Sequence, residues 1–147
     1  MRALILAVAS AGALALWAAP VIARPSTSPL KVIESKFAAV QRHDIDAIVA
    51  HYALDAKVTA SDFCHPRQGR ADVERTYRGI FGAFPDAVAD IQEYVVQGNR
   101  VAVRFIFRSH ISNRVVEVPI TDFLTVRHGL IIRDDGVFDN GGRPCTP

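Results

Sequence analysis

The second half of the sequence consists of long runs in which apolar and polar residues alternate. The run RVAVRFIFRSHI, residues 100–111, has an apolar set on one side: Val101, Val103, Phe105 and Phe107. The run VVEVPITDFLTV, residues 115–126, repeats this pattern. Successive side chains of a strand point to opposite faces, so each run predicts a strand with one buried face. Short turns separate the runs, at residues 97–99, 112–113 and 128–129. Together these features predict an antiparallel meander.

Helical spacing of apolar residues is confined to the first half of the chain. Three segments show it: residues 30–42, 45–52 and 71–84. Asp44 precedes the second segment in the position of a helix N-cap, and Tyr52 is the last residue of its apolar stripe. A short strand, KVTASDF, lies between the second and third helices. Helices followed by a meander are typical of an α+β domain, and 147 residues suit one such domain.

The beginning of the chain carries the signature of a secretory signal peptide. Arg2 is followed by a mainly apolar run that ends at Trp17, and the tripeptide VIA before Arg24 fits the small-x-small cleavage rule. The run of about 15 residues is short for a membrane span, which needs roughly 20, and an uncleaved anchor is the alternative. We expect an exported protein, periplasmic or secreted. Its expected parts are a signal peptide, a linker and one domain: residues 1–23, 24–29 and 30–147.

The charge pattern argues against a nucleic-acid partner. The whole chain has a formal charge of +2, and removal of Arg2 with the signal peptide leaves +1. Nucleic-acid binding calls for a clustered basic face, and the sequence contains no lysine-rich run. We also expect no membrane association after signal cleavage. The expected partner is a small hydrophobic molecule.

The two cysteines, Cys64 and Cys145, predict a disulfide bond. An exported protein folds in an oxidising compartment, where such a pair is favoured, and two unpaired thiols are the alternative. The closed loop of about 80 residues would stabilise the fold by roughly 3–4 kcal/mol. Two cysteines cannot supply a cysteine-rich metal site, and we expect neither a metal nor another cofactor.

Several of these segments carry a family resemblance. FAAVQRHDIDAIVAHYALDAKV, GRADVERTYRGIF and VPITDFLTVRHGLII resemble the SnoaL-like and ketosteroid isomerase-like superfamily, which has the nuclear transport factor-like fold. The resemblance implies three N-terminal helices packed on a strongly curved mixed, mainly antiparallel sheet that encloses a cone-shaped pocket. It also implies a homodimer that pairs through the open face of the sheet. It does not imply one activity, because this fold carries isomerases, cyclases, epoxide hydrolases, dehydratases and non-catalytic binders.

The catalytic positions of the ketosteroid isomerases are only partly retained. Aligned on DIDAIVA, the tyrosine position of the family falls on Lys36, the proton-transfer aspartate on Ala60 and the protonated acid on Asp122. Alanine cannot carry a proton, so isomerisation by that mechanism is not expected. Asp62 could replace the missing base if the strand register slips by two residues.

The catalytic set of the cyclases and epoxide hydrolases is also incomplete. Their aspartate lies seven residues after the glycine of the last hairpin, which here is Gly136, counted from Gly129. A glycine within a strand suggests a bulge, and a bulge could bring Asp135 into the pocket instead. The hydrolases also have an Arg-x-Asp on the preceding long strand, of which only Arg104 is present.

Asp122 is the one charged residue on the apolar face of its strand, so it is expected to be buried. Burial favours a protonated Asp122 that donates a hydrogen bond, whereas an ion pair with Lys36 is the alternative. Lys36 could also extend its ammonium group to solvent. Five aromatic residues are candidate pocket walls: Phe37, Tyr52, Phe63, Tyr77 and Phe81.

Two functions remain open from the sequence. The first is a binding protein for a hydrophobic molecule that carries a carbonyl or phenol group. The second is a small lyase or isomerase that uses Asp122 as the acid or base, with Lys36 or Asp135 as its helper. The orientation of Asp135 distinguishes them, because a second carboxylate in the pocket favours acid–base chemistry.

Overall fold

The computed structural model describes residues 28–146, so the expected signal peptide lies outside the described residues. Three helices and six strands follow one another: α1 Pro29–Gln41, α2 Ile45–Ala50, β1 Tyr52–Ala60, β2 Arg67–Gln68, α3 Arg70–Ala83, β3 Val88–Gln97, β4 Arg100–Ile111, β5 Arg114–Arg127 and β6 Leu130–Val137. The first helix begins inside the segment that the sequence assigns to a linker. Pro29 stands in its first turn, where a proline costs no hydrogen bond.

The six strands form one mixed sheet in the order β2-β1-β6-β5-β4-β3. The pair β1–β6 is parallel and the others are antiparallel, which confirms the predicted mixed, mainly antiparallel sheet. Helix α1 packs on β3, β4 and β5, whereas α3 packs on β1 and β2. Within the described part of the chain, no helix combines the length and apolar character needed to cross a membrane.

The second helix is shorter than the sequence pattern predicts. Asp44 caps it as expected, because its side chain accepts a hydrogen bond from the Ala47 N–H at 3.0 Å. The helix nevertheless ends at Ala50, and the prediction that Tyr52 belongs to its stripe is wrong. Tyr52 begins β1 because the backbone here pairs with β6, where the Ile131 N–H donates to the His51 carbonyl at 2.8 Å.

The hydrophobic core lies between the helices and one face of the sheet. Val101, Val103 and Phe105 on β4 are buried, as the alternating pattern predicts. The opposite face of β4 is charged, and its Arg104 lies 3.4 Å from Glu93 across the strand pair. We call the face that carries Val103 the inner face of the sheet and the face that carries Arg104 the outer face.

A bulge interrupts the last strand pair. Thr125 pairs with Arg133 while the next residue, Val126, pairs with Ile131, so Ile132 is left as one extra residue on β6. An extra residue in one strand reverses the inward and outward positions that follow it. This reversal decides which acidic residues of β6 reach the inner face.

The predicted disulfide bond between Cys64 and Cys145 is present, with a Cα–Cα distance of 4.9 Å. The chain end runs beside the segment that follows β1. There the Cys64 N–H donates to the Thr146 carbonyl at 2.9 Å, and the Thr146 N–H donates to the Asp62 carbonyl at 2.6 Å. The disulfide therefore holds the C-terminal segment against one end of the domain.

Candidate functional site

A cavity of about 900 Å³ lies between α1, α3 and the inner face of the sheet. The C-terminal segment around Arg143 and Thr146 forms part of its rim. Its walls are mainly apolar, and all five aromatic residues that the sequence nominated line it: Phe37, Tyr52, Phe63, Tyr77 and Phe81. The space is large enough for a small organic molecule.

Three charged side chains meet at the inner wall of this cavity. The Lys36 ammonium nitrogen lies 3.6 Å from a carboxylate oxygen of Asp122 and 3.7 Å from one of Asp134. Lys36 is 1% exposed, Asp134 5% and Asp122 8%. With Tyr52, whose hydroxyl donates to Asp134 at 2.5 Å, these residues form what we call the buried cluster.

Lys36 is buried because α1 presents it to the core. Its neighbours on the helix, Ile33 and Phe37, are buried as well, and the Phe37 ring centroid lies 4.2 Å from the ammonium group. A second aromatic ring, that of Tyr77, lies 5.8 Å away. The side chain therefore does not extend to solvent. A buried ammonium requires partners, and the two carboxylates supply them.

Asp134 is the member of the buried cluster that the sequence interpretation missed. Its neighbour Asp135, the expected helper, points to the outer face, where it accepts hydrogen bonds from Thr59 at 2.7 Å and Arg133 at 2.5 Å. The expectation that Asp135 enters the pocket is therefore wrong. The bulge at Ile132 places Asp134 on the inner face. Without that extra residue, continuous pairing would have set Asp135 opposite Asp122.

The two carboxyl groups of the buried cluster differ in their hydrogen-bond donors. Asp134 faces both the Tyr52 hydroxyl and the Lys36 ammonium group. Burial, together with Asp134, raises the pKa of Tyr52 well above its ordinary value, so its hydroxyl keeps the proton that it donates. Among residues 28–146, the ion pair with Lys36, at 3.6 Å, is the one polar side-chain contact of Asp122. Both carboxyl groups line the cavity, and Asp122 is the one that has no hydroxyl donor from the described residues.

The protonation states follow from burial and from the neighbouring charges. Burial raises the pKa of Asp122 to about 7, Asp134 adds to this effect, and Lys36 opposes it. Burial by itself lowers the pKa of Lys36, but Tyr77, Asp134 and Asp122 outweigh it and raise the pKa above its ordinary value. At neutral pH Lys36 therefore stays charged while Asp122 can gain or lose a proton.

Small residues beside Asp122 leave room for a ligand. Asp122 pairs across the sheet with Gly136, and Gly136 pairs with Ala60 on β1. A Cβ atom on Gly136 would lie only 3.2 Å from a carboxylate oxygen of Asp122. These two small residues occupy the positions of the missing family carboxylates.

Two other candidate residues lie away from the buried cluster. Arg104, the single residue retained from the hydrolase pattern, is exposed on the outer face and pairs with Glu93. Asp62 lines the cavity near the chain end, where its backbone carbonyl accepts the hydrogen bond from Thr146. Among the described residues, the ion-pair partners of Lys36 are Asp122 and Asp134, so the Asp62 carboxylate is not part of the buried cluster.

Comparison with solved structures shows the same fold. An NTF2-like protein of unknown function from Burkholderia pseudomallei superposes with a TM-score of 0.71 at 17% identity, covering 78% of this chain and 93% of that one. TerC, co-crystallized with polyporic acid, gives 0.70 at 16% identity over 78% and 94%. The epoxide hydrolase/cyclase-like enzyme SalBIII, described for pyran ring formation in the polyether salinomycin, gives 0.67 at 19% over 77% and 92%.

Sequence comparison identifies the family. No curated protein sequence matches the chain. A family model described as a SnoaL-like domain matches residues 33–134, which is more than half of the chain and contains the whole buried cluster. The structural neighbours described above share the fold at low sequence identity and do not carry over an activity. The chain belongs to the SnoaL-like domain family.

Proposed function

We propose that the cavity binds a hydrophobic small molecule with a carbonyl or phenol oxygen, and that Asp122 is the group that hydrogen-bonds to this oxygen. The observation that carries the proposal is the position of Asp122, a buried carboxyl group that faces an apolar cavity of about 900 Å³. Its pKa of about 7 keeps a substantial fraction protonated at neutral pH. A protonated carboxyl group can donate to a carbonyl or phenolate oxygen, whereas a carboxylate can only accept.

A second candidate is acid–base turnover, as in a lyase or isomerase. The observation that favours it is the second carboxylate, since Asp122 and Asp134 share one buried lysine. In such a reaction the Asp134 carboxylate would take a proton from the carbon next to the substrate carbonyl while the protonated Asp122 donates its own proton to the carbonyl oxygen. Asp134 would then return its proton to a second carbon of the substrate, and the ionised Asp122 would take back the proton from the oxygen. Lys36, which is fully buried, would act by holding the two carboxyl groups in place. A group with a pKa near the working pH suits both directions of transfer.

Export and dimerisation belong to the same proposal. The N-terminal pattern of the sequence supports export to the periplasm or the medium. Large apolar side chains exposed on the outer face of the sheet support a homodimer, since exposed apolar surface favours association: Val95, Val115, Phe123 and Val137. Light scattering on residues 24–147 at micromolar concentration should give twice the monomer mass. A monomer mass across that range would contradict it.

A fluorescent phenol tests the binding proposal. We expect 2-naphthol to bind the mature protein and to bind Asp122→Leu at least about tenfold more weakly, the loss of one buried hydrogen bond. The matched control is Asp135→Asn, which removes a carboxylate from the outer face of the sheet and should leave binding unchanged. Equal affinity of the wild type and Asp122→Leu would refute the role of Asp122.

Mass spectrometry of the purified protein provides an independent test of the ligand class. Small molecules released by denaturing the wild type are compared with those released from Asp122→Leu. We expect an aromatic or alicyclic compound with a ketone or phenol group in the first sample and its depletion in the second. Incubation of that compound with the wild type, followed by denaturation and chromatography, then separates binding from turnover, because only turnover leaves a chemically different compound once the protein is removed.

A further inference from the structure

The cavity has a second polar pole, at Arg67 on β2. The Arg67 guanidinium group is half-buried and lines the cavity. It donates to the Thr76 hydroxyl at 2.7 Å and, more weakly, to the Thr146 hydroxyl at 3.5 Å. The central carbon of the guanidinium group, Cζ, lies 3.7 Å from the centroid of the Phe63 ring, so the guanidinium group covers this ring. Hydrogen bonds and stacking therefore hold this guanidinium group in one orientation.

Arg67 has no carboxylate partner within 4.0 Å among residues 28–146, although eleven ion pairs form there. The positive charge of Arg67 has little effect on Asp72. The pKa of Asp72 is lowered mostly by the hydrogen bond from the Gln68 N–H, and Arg67 contributes least. The Asp72 carboxylate is already engaged by that N–H and by Arg75. A guanidinium group has five N–H donors, so Arg67 retains donors that protein groups do not use.

The rest of this end of the cavity is also basic. Arg75 and Arg143 line this end of the cavity together with Arg67. Among the described residues that line this end, Asp62 is the acidic one. Arg75 is paired with Asp72 at 3.0 Å, whereas Arg143 donates to the Asn140 carbonyl. The local excess of positive charge favours an anion at this end.

The sheet register sets the separation of the two poles. Arg67 pairs with Val58, and Val58 pairs with Asp134, so the three residues form one row across β2, β1 and β6. Paired residues of neighbouring strands project to the same face, and each strand step is about 4.8 Å, which places the Arg67 and Asp134 backbones roughly 10 Å apart. Asp122 lies one strand further along the sheet, on β5, so its backbone is more than roughly 14 Å from that of Arg67. The apolar side chain of Val58 lies between Arg67 and Asp134 and lines the cavity.

We propose that the natural ligand has two ends: a carbonyl or phenol oxygen bound at Asp122 and a carboxylate bound at Arg67, with a flat apolar body between them. This inference rests on the proposed function, which places the oxygen at Asp122. An arginine fork matches a carboxylate with two parallel hydrogen bonds, which a neutral group of the same shape cannot accept equally well. Because Arg67 and Asp122 lie on strands that are three steps apart, the ligand that reaches both must be longer than a single aromatic ring.

Three naphthalene probes separate the two ends: 6-hydroxy-2-naphthoate, its methyl ester and 2-naphthol. We expect the wild type to bind the acid at least about tenfold more tightly than the ester, the difference expected of one charged hydrogen-bonded pair. Arg67→Gln should remove this difference, and Arg67→Lys should retain part of it. The matched control is Arg104→Gln, which removes the same charge from the outer face and should preserve the difference.

The possible failures are distinguishable. Equal binding of acid and ester by the wild type would overturn the two-ended ligand, while Asp122-dependent binding of 2-naphthol would still support the proposed function. Equal weakening of acid and ester in Arg67→Gln, with an unchanged thermal melt, would overturn the role of Arg67 as an anion site. If Arg67→Gln unfolds at a lower temperature than the wild type, the preference for the acid over the ester is judged from Arg67→Lys instead, because lysine keeps the positive charge. A preference that is partly retained in Arg67→Lys supports the anion site, and its complete loss overturns it. Absence of binding by all three probes would count against both proposals.

Discussion

Replacement of Asp122 by asparagine should stabilise the protein at neutral pH, and the gain should disappear in acid. The folded protein raises the pKa of Asp122 from 3.8 to about 7 because burial disfavours its charged form. Below pH 4 both folded and unfolded chains hold the proton, so the residue has no electrostatic cost. Between pH 4 and 7 the unfolded chain ionises first, and the free energy of unfolding of the wild type falls. Asparagine does not ionise, so the variant does not lose this stability.

The magnitude follows from the size of the shift. A change from 3.8 to about 7 corresponds to roughly 4 kcal/mol of lost native stability, since each pKa unit is worth about 1.4 kcal/mol. The Lys36 ammonium, 3.6 Å away, opposes the shift and is already part of this balance. We therefore expect the stability difference between Asp122→Asn and the wild type to grow by a few kcal/mol from pH 4 to pH 8.

Urea denaturation of residues 24–147 at closely spaced pH values provides the measurement, with the disulfide kept oxidised. Asp135→Asn is a control of opposite sign. Burial raises the pKa of Asp135, but hydrogen bonds from Arg133 and Thr59 outweigh it and lower the pKa below its ordinary value. The Asp135 carboxylate thus stabilises the fold above its unfolded pKa, and that contribution is lost as the pH falls. Asp135→Asn should be less stable at neutral pH, with a deficit that shrinks toward acid.

One result would refute the reasoning on Asp122. If Asp122→Asn is less stable than the wild type at pH 8, and its deficit grows as the pH rises from 4, Asp122 is an ionised partner of Lys36. The attraction to the ammonium group would then exceed the cost of burial and the repulsion from Asp134. A carbon-13 carboxyl titration of the wild type would show the same outcome directly, as a midpoint below the ordinary value instead of near 7.

Three further predictions concern the buried cluster and the disulfide. Lys36→Met should lower the free energy of unfolding at pH 8 by about 3–5 kcal/mol, because it leaves two buried carboxylates without their cation; urea melts measure it, and a loss below 1 kcal/mol would contradict it. Gly136→Asp should abolish 2-naphthol binding, since its Cβ would lie 3.2 Å from an Asp122 oxygen; retained affinity would contradict the position of the site. Reduction of Cys64–Cys145, which spans 81 residues, should cost roughly 3–4 kcal/mol by urea denaturation, with intact mass after alkylation confirming the thiol state.

Local sequence patterns were sufficient for most elements of the fold. Alternation along residues 100–111 and 115–126 determines two strands and the face on which Asp122 lies, because side chains alternate strictly in an unbroken strand. Asp44 marks the beginning of α2 through a hydrogen bond that spans only three residues. The cysteine pair predicts the disulfide. Each of these features depends on residues that are neighbours along the chain or on the chemistry of one residue type.

Only the tertiary structure decided which residues surround Asp122. The pattern of β6 permits either Asp134 or Asp135 to face inward, and the choice depends on one unpaired residue, Ile132, whose position is set by pairing with both β5 and β1. A shift of one residue exchanges the two faces of a strand. No local signal near Asp134 records that shift.

Lys36 and Arg67 show the same limit for charged residues. A lysine beside an apolar helical stripe can extend to solvent or turn inward, and Lys36 turns inward because Asp122 and Asp134 from two distant strands meet it there. Arg67 lies in a segment of two paired residues, too short for a sequence pattern, and faces the cavity because β2 pairs with β1. The free energy of a buried charge depends on partners far away in the chain, and only the folded structure brings those partners together.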